Sequence, residues 1–148
     1  IRTAREVNDG KTVWVVDRIA DAAEEFAKKA RRPAKIACLG LAFKPDIDDL
    51  RESPALVAYH ALVARGHDLI AVEPNITSHE GIWLATLDEA LESADILCLL
   101  VNHRQFGALR GISLRKSQKL LDFCGTTKSG GRAPTAGAVI PLRATKAG

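Results

Sequence analysis

Lys44 and Arg51 are the residues of this chain best placed to hold an anion. They fall in the segment Gly-Leu-Ala-Phe-Lys-Pro-Asp-Ile-Asp-Asp-Leu-Arg-Glu-Ser-Pro-Ala at 40–55. A lysine offers a point charge and an arginine a bidentate fork, and both suit a phosphate. Ser53 followed by Pro54 marks a helix start, with a hydroxyl cap and then a proline where no N–H is needed. The free N–H groups of that first turn could also receive an anion. Against this, Asp46, Asp48, Asp49 and Glu52 outnumber the two cations, so the segment carries −2 and is no simple electrostatic cradle. Several of the carboxylates are expected to cap turns or pair with Arg51, leaving Lys44 to project. A solvated loop without a ligand and a Mg²⁺ site built from the aspartates stay open as other readings.

The remaining candidates point mostly to packing. A lone Gly40 is not the GxGxxG fingerprint, and Glu73 lies 33 residues beyond it, where a ribose-binding acid is expected about 20 residues on. A dinucleotide held by this segment in the usual way is therefore not expected. Cys38 and Cys98 lie within apolar runs and read as small core residues. Cys124 ends another run, with no neighbour in sequence that would lower its pKa. An odd cysteine count without CxxC gives neither a disulfide framework nor a zinc site. A reducing, cytoplasmic setting is the expectation. His60, His67, His79 and His103 show no ligand spacing and read as surface or packing residues. Trp14 suggests packing or a helix-to-helix interface.

These residues need a scaffold, and the apolar pattern supplies one. Residues 3–30 repeat apolar positions Val7, Val13, Val16, Ile19, Ala23, Phe26, Ala27 and Ala30 at three- and four-residue steps, which predicts a long amphipathic helix. Gly10 costs it about 1 kcal/mol relative to Ala, so a break or bend near Asp9-Gly10 is expected; Arg31-Arg32-Pro33 ends it. Short apolar runs at 35–39, 68–72, 95–101 and 119–123 read as strands, the third as one covered on both faces. Helices are expected at 54–65 and at 87–93, the latter with Thr86 and Glu89 as a capping box. Alternating strands and helices predict an α/β fold: a Rossmann-like three-layer domain with a parallel sheet, preceded by the long helix. Ligands of such sheets bind beyond the carboxyl ends of the strands. That edge is expected to collect residues 40–52, 73–75, Asn102-His103 and Cys124-Gly125. A phosphoacceptor receiver domain would want an acidic pair where this chain has Gly40.

Composition sets the outer limits. A chain of 148 residues suits one globular domain. Removing the four cations of 125–148 from the net +3 leaves residues 1–124 at −1, so no basic face for nucleic acid is expected. The longest apolar run, 96–101, is far below the roughly 20 residues that cross a bilayer, and no membrane partner is expected. Residues 125–148 lack a sustained period and read as a low-complexity, disordered tail. The chain opens on Ile1 and has no methionine, which reads as a processed product or a piece of something longer.

The 40–55 segment resembles the signature of the UDP-binding domain of the UDP-glucose/GDP-mannose dehydrogenase family. Three other stretches resemble the family in the same order. Ala4-Arg-Glu-Val-Asn-Asp9 with Val15-Val-Asp17 is similar to its central helix, Val72-Glu-Pro-Asn-Ile76 follows its second strand, and Leu100-Val-Asn-His-Arg-Gln-Phe106 follows its third. Ile47 and the 72–76 stretch look more like the branch acting on UDP-N-acetylmannosamine than the UDP-glucose enzymes. The resemblance implies two successive NAD-dependent oxidations of a sugar C6 alcohol to the carboxylate, through a cysteine-bound thiohemiacetal and thioester. It places the cofactor domain and that cysteine before the central helix. None of the three cysteines here sits in the family's cysteine motif, so no catalytic residue and no metal ligand is carried over, and the chain alone is expected to be inactive.

Carried over by position, Phe43 and Lys44 would contact the UDP-sugar substrate, and Arg51 would reach toward NAD bound mainly elsewhere. Residues 1–32 would be the central helix and homodimer interface, and 33–124 the UDP-sugar-binding domain. Cys124 stands where the family usually offers an Arg or Lys. Two alternatives remain at this point: a non-catalytic dimerisation or interaction fragment of a truncated dehydrogenase, and a UDP-glucose 6-dehydrogenase.

Overall fold

Alternate residues of the four apolar runs serve opposite faces of one sheet. The computed structural model describes residues 2–124, with side chains from residue 11 onward; the expected tail lies outside them. The strands are β1 (Lys35–Leu39), β2 (Asp68–Val72), β3 (Ile96–Leu99) and β4 (Lys119–Asp122), all parallel, in the order β2-β1-β3-β4. Ile36, Cys38, Ile96, Cys98 and Leu121 face two helices, α1 (Arg2–Ala30) and α2 (Pro54–Ala64). Ala37, Leu39, Leu97, Leu99 and Leu120 face α3 (Leu87–Ser93) and a 3₁₀ turn (Arg104–Leu109). The expected three layers are thus present, and each fully buried Leu or Ile contributes about 1.5–3 kcal/mol. The 3₁₀ turn was not expected. It is held by Phe106 and Leu109, which are fully buried, rather than by any local repeat.

Two expectations about α1 need correction. It runs through Gly10 without a break, because a single glycine costs less than the helix gains on either side. Its buried stripe is Thr12, Val15, Val16, Ile19, Ala22 and Ala23, whereas Val13 is exposed. Apolar residues on two adjoining faces leave the choice of face to the sheet. Trp14 packs edge-on against Phe123, with ring centroids 5.8 Å apart. Among the described residues no helix is long and apolar enough to cross a membrane.

The end of α1 is tied to the sheet. Arg31 takes the left-handed conformation with φ 62°, closing the helix as its N–H donates to Ala27 O at 2.8 Å. Arg32 then forks onto Asp95, both N–O distances 2.9 Å, and the Lys35 N–H donates to the same carboxylate at 2.8 Å. Burial works to raise the Asp95 carboxyl, but Arg32, the Lys35 N–H and Arg115 outweigh it, so its pKa falls below the ordinary value. A depressed carboxylate stabilises fully above its unfolded pKa and loses that contribution as pH falls through the folded value. Asp95→Asn should therefore lower the urea midpoint at pH 7. Its gap to the parent should close as pH drops below about 4; a gap that stays constant to pH 3 would disprove the tie.

Candidate functional site

The chain leaves β1 by turning around a buried carboxylate. Gly40, at φ 95°, donates its N–H to Val72 O at 2.8 Å. The next two N–H groups, of Leu41 and Ala42, both donate to Glu73 Oε1, at 2.7 and 3.0 Å. Glu73 Oε2 accepts the Asn75 N–H at 3.1 Å. His103, fully buried, completes the cluster, with Nε2 2.9 Å from Glu73 Oε1. Its Nδ1 accepts the Asp46 N–H at 2.7 Å, which puts the ring proton on Nε2, donating to Glu73. Burial works to raise the Glu73 carboxyl, but the His103 bond and the Leu41 and Asn75 N–H groups outweigh it, and its pKa lies below the ordinary carboxylate range.

Two of the four acids of the 40–52 loop, Asp46 and Asp49, brace it from within, whereas Asp48 and Glu52 are exposed. Asp46 Oδ1 accepts the Arg104 N–H at 2.7 Å. Asp49 takes three bonds from Arg51, one from its N–H and two from its guanidinium, at 2.9–3.0 Å. Those bonds hold the Asp49 carboxyl down to about 2. The Phe43 N–H donates to Asp49 O at 2.8 Å, closing the loop. Ser53 caps α2 by accepting the Leu56 N–H, and its hydroxyl donates to Ala42 O. Phe43 and Lys44 are left exposed, with Lys44 Nζ 5.8 Å from the Phe43 ring centroid.

Phe43 forms one wall of a cavity of about 220 Å³ between α1, α2 and the ends of β1 and β3. Lys11 and Thr12 of α1, Ala55 of α2, Val101 and Phe123 are among the other residues that line it. The structure thus sets Phe43 on the wall of a cavity with a cation, Lys11, on its α1 side; Lys44 adjoins Phe43 in sequence, is exposed, and does not line it. Arg51 does not line it; its side chain is 88% exposed and engaged by Asp49. Cys124 lies beside the cavity, its thiol pushed up to about 12 by burial and by Asp122, with Lys11 opposing. Burial likewise pushes Cys38 up to about 12 and Cys98 well above its ordinary value. Such thiols are poor nucleophiles. The turn after β1 does not fit the pyrophosphate of a dinucleotide, because its leading N–H groups are already given to Glu73.

Residues 37–128 match the UDP-glucose/GDP-mannose dehydrogenase family, UDP binding domain. The chain belongs to this family. It is 51% identical over 121 residues to the UDP-N-acetyl-D-mannosamine dehydrogenase of Salmonella typhi, covering 75% of this chain and 29% of that one. A relative of the same description from Yersinia pestis is 47% identical over 135 residues, covering 84% and 32%. Among solved structures, the UDP-N-acetyl-mannosamine dehydrogenase Cap5O of Staphylococcus aureus superposes with a TM-score of 0.68 at 26% identity, over 88% of this chain and 31% of that one. The chain therefore spans about three tenths of these dehydrogenases. The branch read from Ile47 and the 72–76 stretch is the branch of these relatives.

In this member of the dehydrogenase family, the residues that sequence reasoning missed are those that hold the loop from behind. His103 was placed at the right edge but read as surface or packing; it is a buried hydrogen-bonding centre. Glu73, set at the ligand edge and considered there as a ribose-binding acid, is instead the carboxylate at the centre of that cluster. The available signal was position: Glu73 is the first residue after β2, and His103 lies just beyond β3, the two strands that flank β1.

Proposed function

We propose that this chain is the nucleotide-sugar-binding portion of an NAD-dependent UDP-N-acetyl-D-mannosamine 6-dehydrogenase serving polysaccharide biosynthesis in the cytoplasm. Residues 33–124 bind the UDP moiety while C6 is oxidised to the uronate, and residues 1–32 supply the homodimer interface. Phe43 packs against the nucleotide sugar and Lys44 neutralises phosphate. What supports this reading is the loop itself: Asp46 and Asp49 are taken up by bonds to Arg104 and Arg51, Phe43 lines the cavity, and its neighbour Lys44 is exposed. Arg51 faces solvent at the loop end, open toward a cofactor held by another part of the enzyme. No step through NAD is assigned to this chain, since the β1 turn does not accept a dinucleotide.

Calorimetric titration with UDP tests the reading. The parent should bind, and Lys44→Ala should weaken binding about tenfold, or about 1.4 kcal/mol. Equal affinity of parent and variant would exclude Lys44 as a ligand. No UDP binding together with a stable dimer in sedimentation would favour the dimerisation-fragment alternative.

A further inference from the structure

We propose that His103 is a positioning residue for the nucleotide-sugar contact loop, acting through the acceptor at Nδ1. This rests on the reading of Phe43 and Lys44 as ligand contacts. Asp46, two residues beyond Lys44, holds the left-handed conformation at φ 63°, which a non-glycine residue keeps only where its surroundings fix it. Two bonds to one short segment do so. The Asp46 N–H donates to His103 Nδ1, and Asp46 Oδ1 accepts the next residue's N–H, that of Arg104. The loop apex and the end of β3 are thus joined in both directions.

The other side of the imidazole is anchored to Glu73 through Nε2, and Asn75 Nδ2 lies 3.1 Å from Nδ1. Phe106 packs on the ring at 5.7 Å between centroids. Because Glu73 also holds Leu41 and Ala42, one His–Glu pair fixes the loop at its root and at its apex. Lys44 lies between those two points. A buried polar ring is costly unless its bonds are made, and here both nitrogens are engaged.

The two ring nitrogens can be tested separately in the complete polypeptide. His103→Asn places an amide oxygen near the Nδ1 position, so it retains an acceptor for Asp46 and loses the donor to Glu73. His103→Gln places an amide nitrogen near Nε2, retaining that donor and losing the acceptor. Melting curves check folding, hydrogen exchange reads the amides of 43–49, and calorimetry reads UDP. His103→Asn should stay within about threefold of the parent in loop exchange and affinity, whereas His103→Gln should exchange about tenfold faster and bind UDP about tenfold more weakly.

A His103→Gln variant that matches the parent in either readout overturns the proposal, as do equal losses in both variants, which would report ring volume alone. If both variants unfold, Asp46→Gly removes the side-chain bond to Arg104 while keeping the N–H to Nδ1 and suiting the left-handed φ; UDP affinity within about threefold of the parent is expected, and a loss of about tenfold would overturn Nδ1 as the contact through which His103 acts. A parent that fails to bind UDP overturns the ligand reading and this inference together; a binding parent with an unaffected His103→Gln overturns this inference alone.

Discussion

Glu73→Ala should destabilise the fold by about 3–5 kcal/mol, because several buried donors lose their acceptor at once and each one left unsatisfied costs about 1–3 kcal/mol. The loss comes from what stays behind. The N–H groups of Leu41, Ala42 and Asn75 and the Nε2–H of His103 would lose their shared acceptor, and Leu41, Ala42 and His103 are buried. Glu73→Gln keeps an amide oxygen for the first pair but turns an amide nitrogen toward the Asn75 N–H, and should cost about 1–3 kcal/mol. The carboxyl pKa is depressed, so its contribution is full above about 4.3 and fades as pH falls through the lower folded value. Urea midpoints at unchanged slope, from pH 7 to 3, check both statements. A Glu73→Ala protein within 1 kcal/mol of the parent would show that the cluster is not a structural centre.

Gly40→Ala should be comparably severe, at about 3 kcal/mol or more, because two penalties coincide. At φ 95° an L side chain is strained, and the added Cβ would meet Val101 Cβ at 2.7 Å and the Val101 backbone N and O at 3.0 Å. Backbone atoms beside the β1–β3 pairing cannot withdraw as a flexible side chain would. Gly66 provides the control, since it has φ 88° but open space around the missing Cβ. Gly66→Ala should show the conformational penalty alone, about 1–2 kcal/mol. Equal midpoints for the two variants would remove the steric half of the explanation. Since Val101 also lines the cavity, any Gly40→Ala protein that folds should bind UDP less well.

The sheet was legible because its strands are covered on both faces, so 35–39, 68–72 and 95–101 stand out as apolar runs between charged and glycine-marked turns. Helix starts were legible for a local reason: Ser53-Pro54 and the Thr86–Glu89 box make their bonds within four residues. Lys44 stands out as a candidate because its charge lies in one continuous loop, whereas Phe43 becomes a candidate only through the family resemblance of that loop. His103 could not, since its bonds go to residues 30 and 57 positions away and nothing in its neighbours signals burial. The Arg32–Asp95 tie, 63 residues apart, was hidden for the same reason. The face of α1 was misassigned at Val13 because periodicity tells that a stripe exists and not which of two adjoining stripes the sheet covers.

Glu73 can be viewed as a ligand that the protein carries with it. A tethered carboxylate seated on the Leu41 and Ala42 N–H groups competes at an effective concentration far above that of any free metabolite, since well-oriented intramolecular groups reach about 10⁵ M or more in reaction terms and millimolar values even on loose linkers. A free phosphate arriving at millimolar concentration would have to displace it and leave a charge buried without partners. The turn that binds phosphate in dinucleotide folds is thereby closed to solution anions in this chain, and its amides serve the rigidity of the loop they begin.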